Sequence, residues 1–162
     1  MKSTIDNIEK VRRAYAFEIF KRVVERTPVH NDDYTKRGKK RKKQYPGGAT
    51  RQNWIVSLNN EDSSYDPNKK KGGRVMSNGG KVIDSAKGDD TIIVQLNTPN
   101  ANMLEYGGWP KAPKNGSYTI NGLPKTVDGF SRQAPHGMVG RTLAQAEQIF
   151  QAAVNAVNGG GA

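Results

Sequence analysis

Seven cationic side chains stand within eight consecutive positions: Lys36, Arg37, Lys39, Lys40, Arg41, Lys42 and Lys43. They supply most of a net charge of +11. Each Lys or Arg brought to a phosphate releases a condensed counterion, so such a run suits a nucleic-acid backbone or an acidic protein surface. Like charges at this density repel one another and cannot enter a core, so a solvated loop that only raises solubility is the plain alternative. The run holds no aromatic residue, and Tyr34 and Tyr45 merely flank it, which argues against recognition by base stacking.

Groups that could carry catalysis are sparse. The two histidines, His30 and His136, lie far apart, and there is no cysteine, so neither a zinc-ligand spacing nor thiolate chemistry is encoded. Gly79-Gly80-Lys81 is followed by Val82, which offers no hydroxyl to magnesium, so it is not a phosphate-binding loop. No Gly-x-Ser-x-Gly elbow occurs. Asp89 and Asp90 precede a strand, where either a metal carboxylate or a solvated turn would sit. The expectation is a non-enzymatic protein with no catalytic, cofactor or metal residues.

The elements that must position these groups follow from periodicity. A chain of 162 residues fits one domain, expected over 1–158 with a flexible Gly-rich tail at 159–162. Ile8, Val11, Tyr15, Ile19 and Val23, widened by Phe20 and Val24, form an apolar stripe that predicts a helix over about residues 4–26, capped by Thr4 or Asp6 and stopped by Pro28. Residues 29–50 lack hydrophobic patterning and predict a long loop. Trp54, Val56 and Leu58 alternate in a strand, and the β-branched run 91–96 predicts another. Between them a polar loop is expected over 59–80, then a short helical stretch within 80–87 carrying Val82, Ile83 and Ala86. Met103, Leu104 and Tyr106 suggest a packed helical turn at 101–106, Asn121-Gly122 a hairpin turn, and residues 138–157 a last helix with Val139, Leu143, Ala146, Phe150, Ala153, Val154 and Val157 on one face. The fold class expected is α+β: a small, mainly antiparallel sheet packed by an N-terminal and a C-terminal amphipathic helix, with a long basic loop. No run is long and apolar enough to cross a bilayer, so no membrane partner is expected.

Four phrases occur in order: Thr27-Pro28-Val29, Arg51-Gln52-Asn53-Trp54, Leu104-Glu105-Tyr106-Gly107, and Ala134-Pro135-His136-Gly137-Met138-Val139. Their types and order resemble those of the tail-completion and tail-terminator (neck) proteins of long-tailed bacteriophages. The resemblance implies a structural virion protein: a homo-hexameric ring at the head-proximal end of the tail, assembled in the host cytoplasm. Such a ring would complete the tail tube, meet the head connector or stopper protein, and leave a central channel for DNA. Family members join the first two phrases by a short Asp-Thr-Gly connection. Here about residues 30–50 form an insertion carrying the whole basic run, whose expected contact is DNA or an acidic partner.

Arg51, Glu105, Tyr106, Trp109, His136 and Met138 are the candidate subunit or ring-interface residues, with an Arg51–Glu105 ion pair within or between subunits. Trp109, in a loop, could equally pack locally, whereas Trp54 is expected in the core. The competing expectation is a free basic nucleic-acid-binding protein acting through Lys36–Lys43.

Overall fold

The computed structural model describes residues 2–29, 48–69, 72–109, 119–120, 123–124 and 126–159. Helix α1 (Lys2–Arg26) ends just before Thr27-Pro28, where the proline ring disfavours the helical conformation of the residue before it. The helix already begins at Lys2, so Thr4 and Asp6 lie inside it and are not its caps. Its buried face is the C-terminal half: Phe20, Val23 and Val24 are buried, whereas Ile8, on the expected stripe, is 64% exposed.

A short turn of helix, α2 (Ala49–Gln52), leads into strand β1 (Trp54–Leu58). Helix α3 (Val75–Ser85) follows, then β2 (Ile92–Leu96) and α4 (Ala101–Tyr106). β1 and β2 pair antiparallel, Trp54 opposite Leu96 and Leu58 opposite Ile92. Two minimal hairpins come next, β3 (Thr119–Ile120) with β4 (Leu123–Pro124), and β5 (Thr126–Val127) with β6 (Phe130–Ser131). The chain ends in α5 (Val139–Leu143) and α6 (Ala146–Gly159). The class is α+β, with N- and C-terminal helices packed beside a small antiparallel sheet.

One core joins these pieces. Phe20, Val23 and Val24 meet Trp54 and Val56 of β1, Val75 and Ile83 of α3, Leu104 of α4, and Ala134 and Met138 before α5.

Several expectations are corrected. The helix between the strands begins at Val75, inside the stretch read as loop. Its Gly79 is why: a Cβ there would overlap the Phe20 ring and lie 2.9 Å from Val56 Cγ2. Glycine costs a helix about 1 kcal/mol, and a fully buried Phe contributes about 2–3 kcal/mol, so close packing outweighs poor propensity.

The last helix is two helices, and its buried line is Met138, Thr142, Ile149 and Ala153, leaving Leu143 56% and Phe150 41% exposed. Arginines from α1 cause the offset by engaging Thr142 and Gln145 (below), which turns that line inward. In α4, Leu104 is buried but Tyr106 is 77% exposed. Gly159, expected in the tail, ends α6, and residues 160–162 lie outside the described residues.

Candidate functional site

The four sequence phrases join in space as two pairs. The first pair centres on Thr27, which is fully buried. Its hydroxyl donates to Val23 O at 2.7 Å and accepts the indole N–H of Trp54 at 2.6 Å. Its carbonyl accepts Arg51 Nε at 3.0 Å and Arg51 Nη2 at 2.7 Å, and Nη2 also reaches Glu25 O at 3.0 Å. A guanidinium over the last carbonyls of α1 satisfies acceptors that the helix end leaves orphaned, and its charge suits the negative end of the helix dipole. Burial holds the Arg51 pKa below its ordinary value, and Glu25 partly offsets this.

Asn53, fully buried, completes the corner: its amide nitrogen donates to Ala49 O and Asp66 O, and its amide oxygen accepts Asp66 N–H.

The second pair centres on Glu105. Its Oε2 accepts the N–H groups of Met138 at 2.7 Å and Val139 at 2.8 Å, and its Oε1 accepts that of Gly140 at 2.7 Å. The carboxylate thus caps the start of α5 with charge-assisted bonds. Gly137 makes the approach feasible: φ is +76°, and a Cβ would lie 2.6 Å from Glu105 O. Gly107 plays the same part opposite the β5–β6 turn, where a Cβ would lie 3.0 Å from Gly129 O. Trp109 N–H donates to that same carbonyl at 3.1 Å.

The candidate interface residues therefore divide. The expected Arg51–Glu105 pair within the subunit is not formed, because each side chain is engaged by backbone groups of a different corner. Met138 is 1% exposed and belongs to the core, not to a free surface. Trp109 is half-buried and packs on the core, and its Nε1 has no partner among the described residues. Tyr106 is exposed, and so is His136, whose ring lies 6.0 Å from that of Phe130. Lys36, Arg37, Lys39, Lys40, Arg41, Lys42 and Lys43 lie outside the described residues.

The Asp90 carboxylate accepts Lys87 N–H at 2.8 Å and Asn59 Nδ2 at 2.7 Å. These bonds, the backbone one first, hold its pKa below the usual carboxylate value. It closes a turn, which is the plainer of the two expectations for that position. Among the described residues no three His, Asp or Glu side chains group as metal ligands would.

Sequence reasoning missed the arginines of α1. Arg12 and Arg13 donate to carbonyls of the α3–β2 connection, including Asp90 O at 2.8 Å and Ala86 O at 3.2 Å. Arg22 Nη1 and Arg26 Nη2 converge on one amide oxygen, Gln145 Oε1, at 2.8 and 2.6 Å, and Arg26 Nη1 reaches Thr142 Oγ1 at 2.7 Å. The four-residue step from Arg22 to Arg26 was a visible signal that they share a helix face; nothing local pointed to Gln145.

Among the described residues the sheet has two edges, one on β1 and one on β2. Asn59 N–H donates to Thr91 O at 2.9 Å, which sets the phase of the ladder. Alternation then aims the N–H and C=O groups of Trp54 and Val56 away from β2, and those of Ile92, Val94 and Leu96 away from β1. Among the described residues no further strand pairs with either edge. A groove of about 310 Å³ runs beside β1 against α3, and one of about 360 Å³ lies between β2 and α1. Comparison with protein-family models, curated proteins and solved structures finds no match to this chain.

Proposed function

We propose that this protein is a structural ring subunit of a long-tailed phage neck, completing or terminating the tail tube and meeting the head connector. The observation that carries this reading is the pairing of the four phrases on which the family resemblance rests. Thr27-Pro28-Val29 is bonded to Arg51-Gln52-Asn53-Trp54, and Leu104-Glu105-Tyr106-Gly107 to the backbone of the Met138 phrase. Motifs that lock one scaffold together are expected to persist while surface loops and insertions vary.

Ring closure needs two different patches on each subunit, repeated head to tail. The β1 and β2 edges, which no further strand pairs among the described residues, are two such patches, each beside a groove. Exposed Tyr106 and His136 remain available for contacts with neighbouring rings.

The test is assembly. Mass photometry of the purified chain over a concentration series, with electron microscopy of particles from an infection that expresses it tagged, should find a closed ring or label at the neck. A monomer at every concentration together with unlabelled particles would refute the reading.

A further inference from the structure

We propose that Asn158 is a site of spontaneous deamidation and isomerisation, a covalent change that the fold leaves open at the end of α6 and blocks at the same dipeptide in α3. The reaction needs an asparagine side-chain amide followed by a backbone nitrogen that can reach it. Glycine in the second position crowds that approach least and allows the widest range of backbone angles. Two Asn–Gly pairs stand among the described residues, Asn78–Gly79 and Asn158–Gly159. Asn115–Gly116 and Asn121–Gly122 lie outside the described residues.

The chemistry is a balanced hydrolysis. The Gly159 backbone nitrogen attacks Asn158 Cγ, its proton and the side-chain NH2 leave together as ammonia, and a cyclic succinimide closes. Water then adds at one of the two ring carbonyls. Opening one C–N bond leaves an ordinary aspartate, and opening the other leaves isoaspartate, whose backbone is longer by a methylene. Water is the co-reactant, and nothing is oxidised or reduced.

The two sites share this chemistry and differ in surroundings. In α3, Asn78 N–H donates to Arg74 O at 2.8 Å. Gly79 is buried, and a Cβ on it would overlap the Phe20 ring, so the main chain has no room to swing its nitrogen towards the side chain. Closing the succinimide there requires α3 to part from α1, an opening that breaks the core. At the other site both residues are exposed, and nothing lies within 4 Å of where a Gly159 Cβ would be. Gly159 is the last residue of α6, so its N–H closes only a terminal turn, which frays at little cost.

Conversion has a structural consequence. α1 and α6 run antiparallel: Arg22 meets Gln145, and the Tyr15 and Phe150 rings stand 5.7 Å apart. Seven residues on from Phe150 and seven back from Tyr15, Val157 comes level with Ile8. A carboxylate at position 158 meets the negative end of the α6 dipole, and the extra methylene of isoaspartate breaks the helical repeat. Both loosen the last turn of α6 from the first half of α1, where Ile8 is already 64% exposed.

The experiment incubates the full chain, folded and in urea, in mildly alkaline buffer at physiological temperature. Peptide mapping by mass spectrometry follows each Asn–Gly pair. In urea the two sites are expected to convert at similar rates. In the folded chain Asn158 is expected to convert at least about ten-fold faster than Asn78, a ratio set by the difference in opening free energy. Gly159→Val crowds the attacking nitrogen in open space, and should slow the site at least about ten-fold in both states. Hydrogen exchange of the converted chain should rise at least about three-fold over the last turn of α6 and stay unchanged in α3.

A folded chain that keeps Asn158 intact while the chain in urea converts it would overturn the proposal. So would equal rates at Asn78 and Asn158 in the folded state. Exchange that does not change on conversion would overturn the loosening of α6.

Discussion

At the scale of single residues, buried polar atoms do the joining. Thr27 Oγ1 accepts from the Trp54 indole and donates to Val23 O within one hydroxyl. Thr27→Val keeps the shape but leaves the indole N–H buried and unpaired, and is expected to cost about 1–3 kcal/mol in urea unfolding, with Thr27→Ser restoring most of it. If Thr27→Val unfolds like wild type, the hydroxyl is not the joint. Glu105 makes a comparable bet on one side chain. Removing its carboxylate strips three N–H groups at the start of α5 of their acceptor, so Glu105→Ala is expected to lose about 2–3 kcal/mol and Glu105→Gln less. Calorimetry of the pair checks the order as well as the size.

At the scale of elements, packing overrides local preference in α3. Gly79→Ala gains about 1 kcal/mol of helix propensity but drives a methyl into the Phe20 ring, and overpacking of this kind costs about 1–3 kcal/mol. The net expectation is destabilisation; a stabilised variant would mean that α3 can move away from α1. The turn before β2 contributes to the acid dependence of stability. The Asp90 pKa is depressed by Lys87 N–H and Asn59. A depressed carboxylate contributes stability that is complete above the unfolded-state pKa of about 3.9 and is lost as pH falls through the folded-state value. Wild-type stability should therefore decline below about pH 4, and Asp90→Asn should flatten that limb. Parallel urea-midpoint curves between pH 5 and 2.5 would count against this role.

At the scale of the whole molecule, charge and scaffold separate. Replacing the seven cations from Lys36 to Lys43 by Ser lowers the formal charge from +11 to +4. On the proposed neck reading, virion yield or DNA retention should fall with this change while the melting transition barely moves. Normal phage yield with a normal melt would assign the run to solubility alone. The proposed ring assembly, by contrast, should survive this change, because the β1 and β2 edges, which no further strand pairs among the described residues, belong to the scaffold.

The sequence by itself determined whatever depends on neighbours along the chain. The period of Ile19, Val23 and their companions made a helix, Pro28 ended it, β-branched residues at 92–94 made a strand, and the Leu104 turn formed where expected. The order of the four phrases was legible for the same reason. Only the tertiary structure decided which groups meet: Arg51 with Thr27, 24 positions away, and Arg22 with Gln145, 123 positions away. It also decided that Gly79 belongs in a helix, that the last helix breaks after Leu143, and that Glu105 and Arg51 serve different corners. Local preferences are small and sum over adjacent residues, whereas a buried polar atom must find a partner wherever packing brings one. That requirement, set by desolvation and not by spacing, turned the candidate pair Arg51 and Glu105 into two internal joints and placed the arginines of α1 against Gln145.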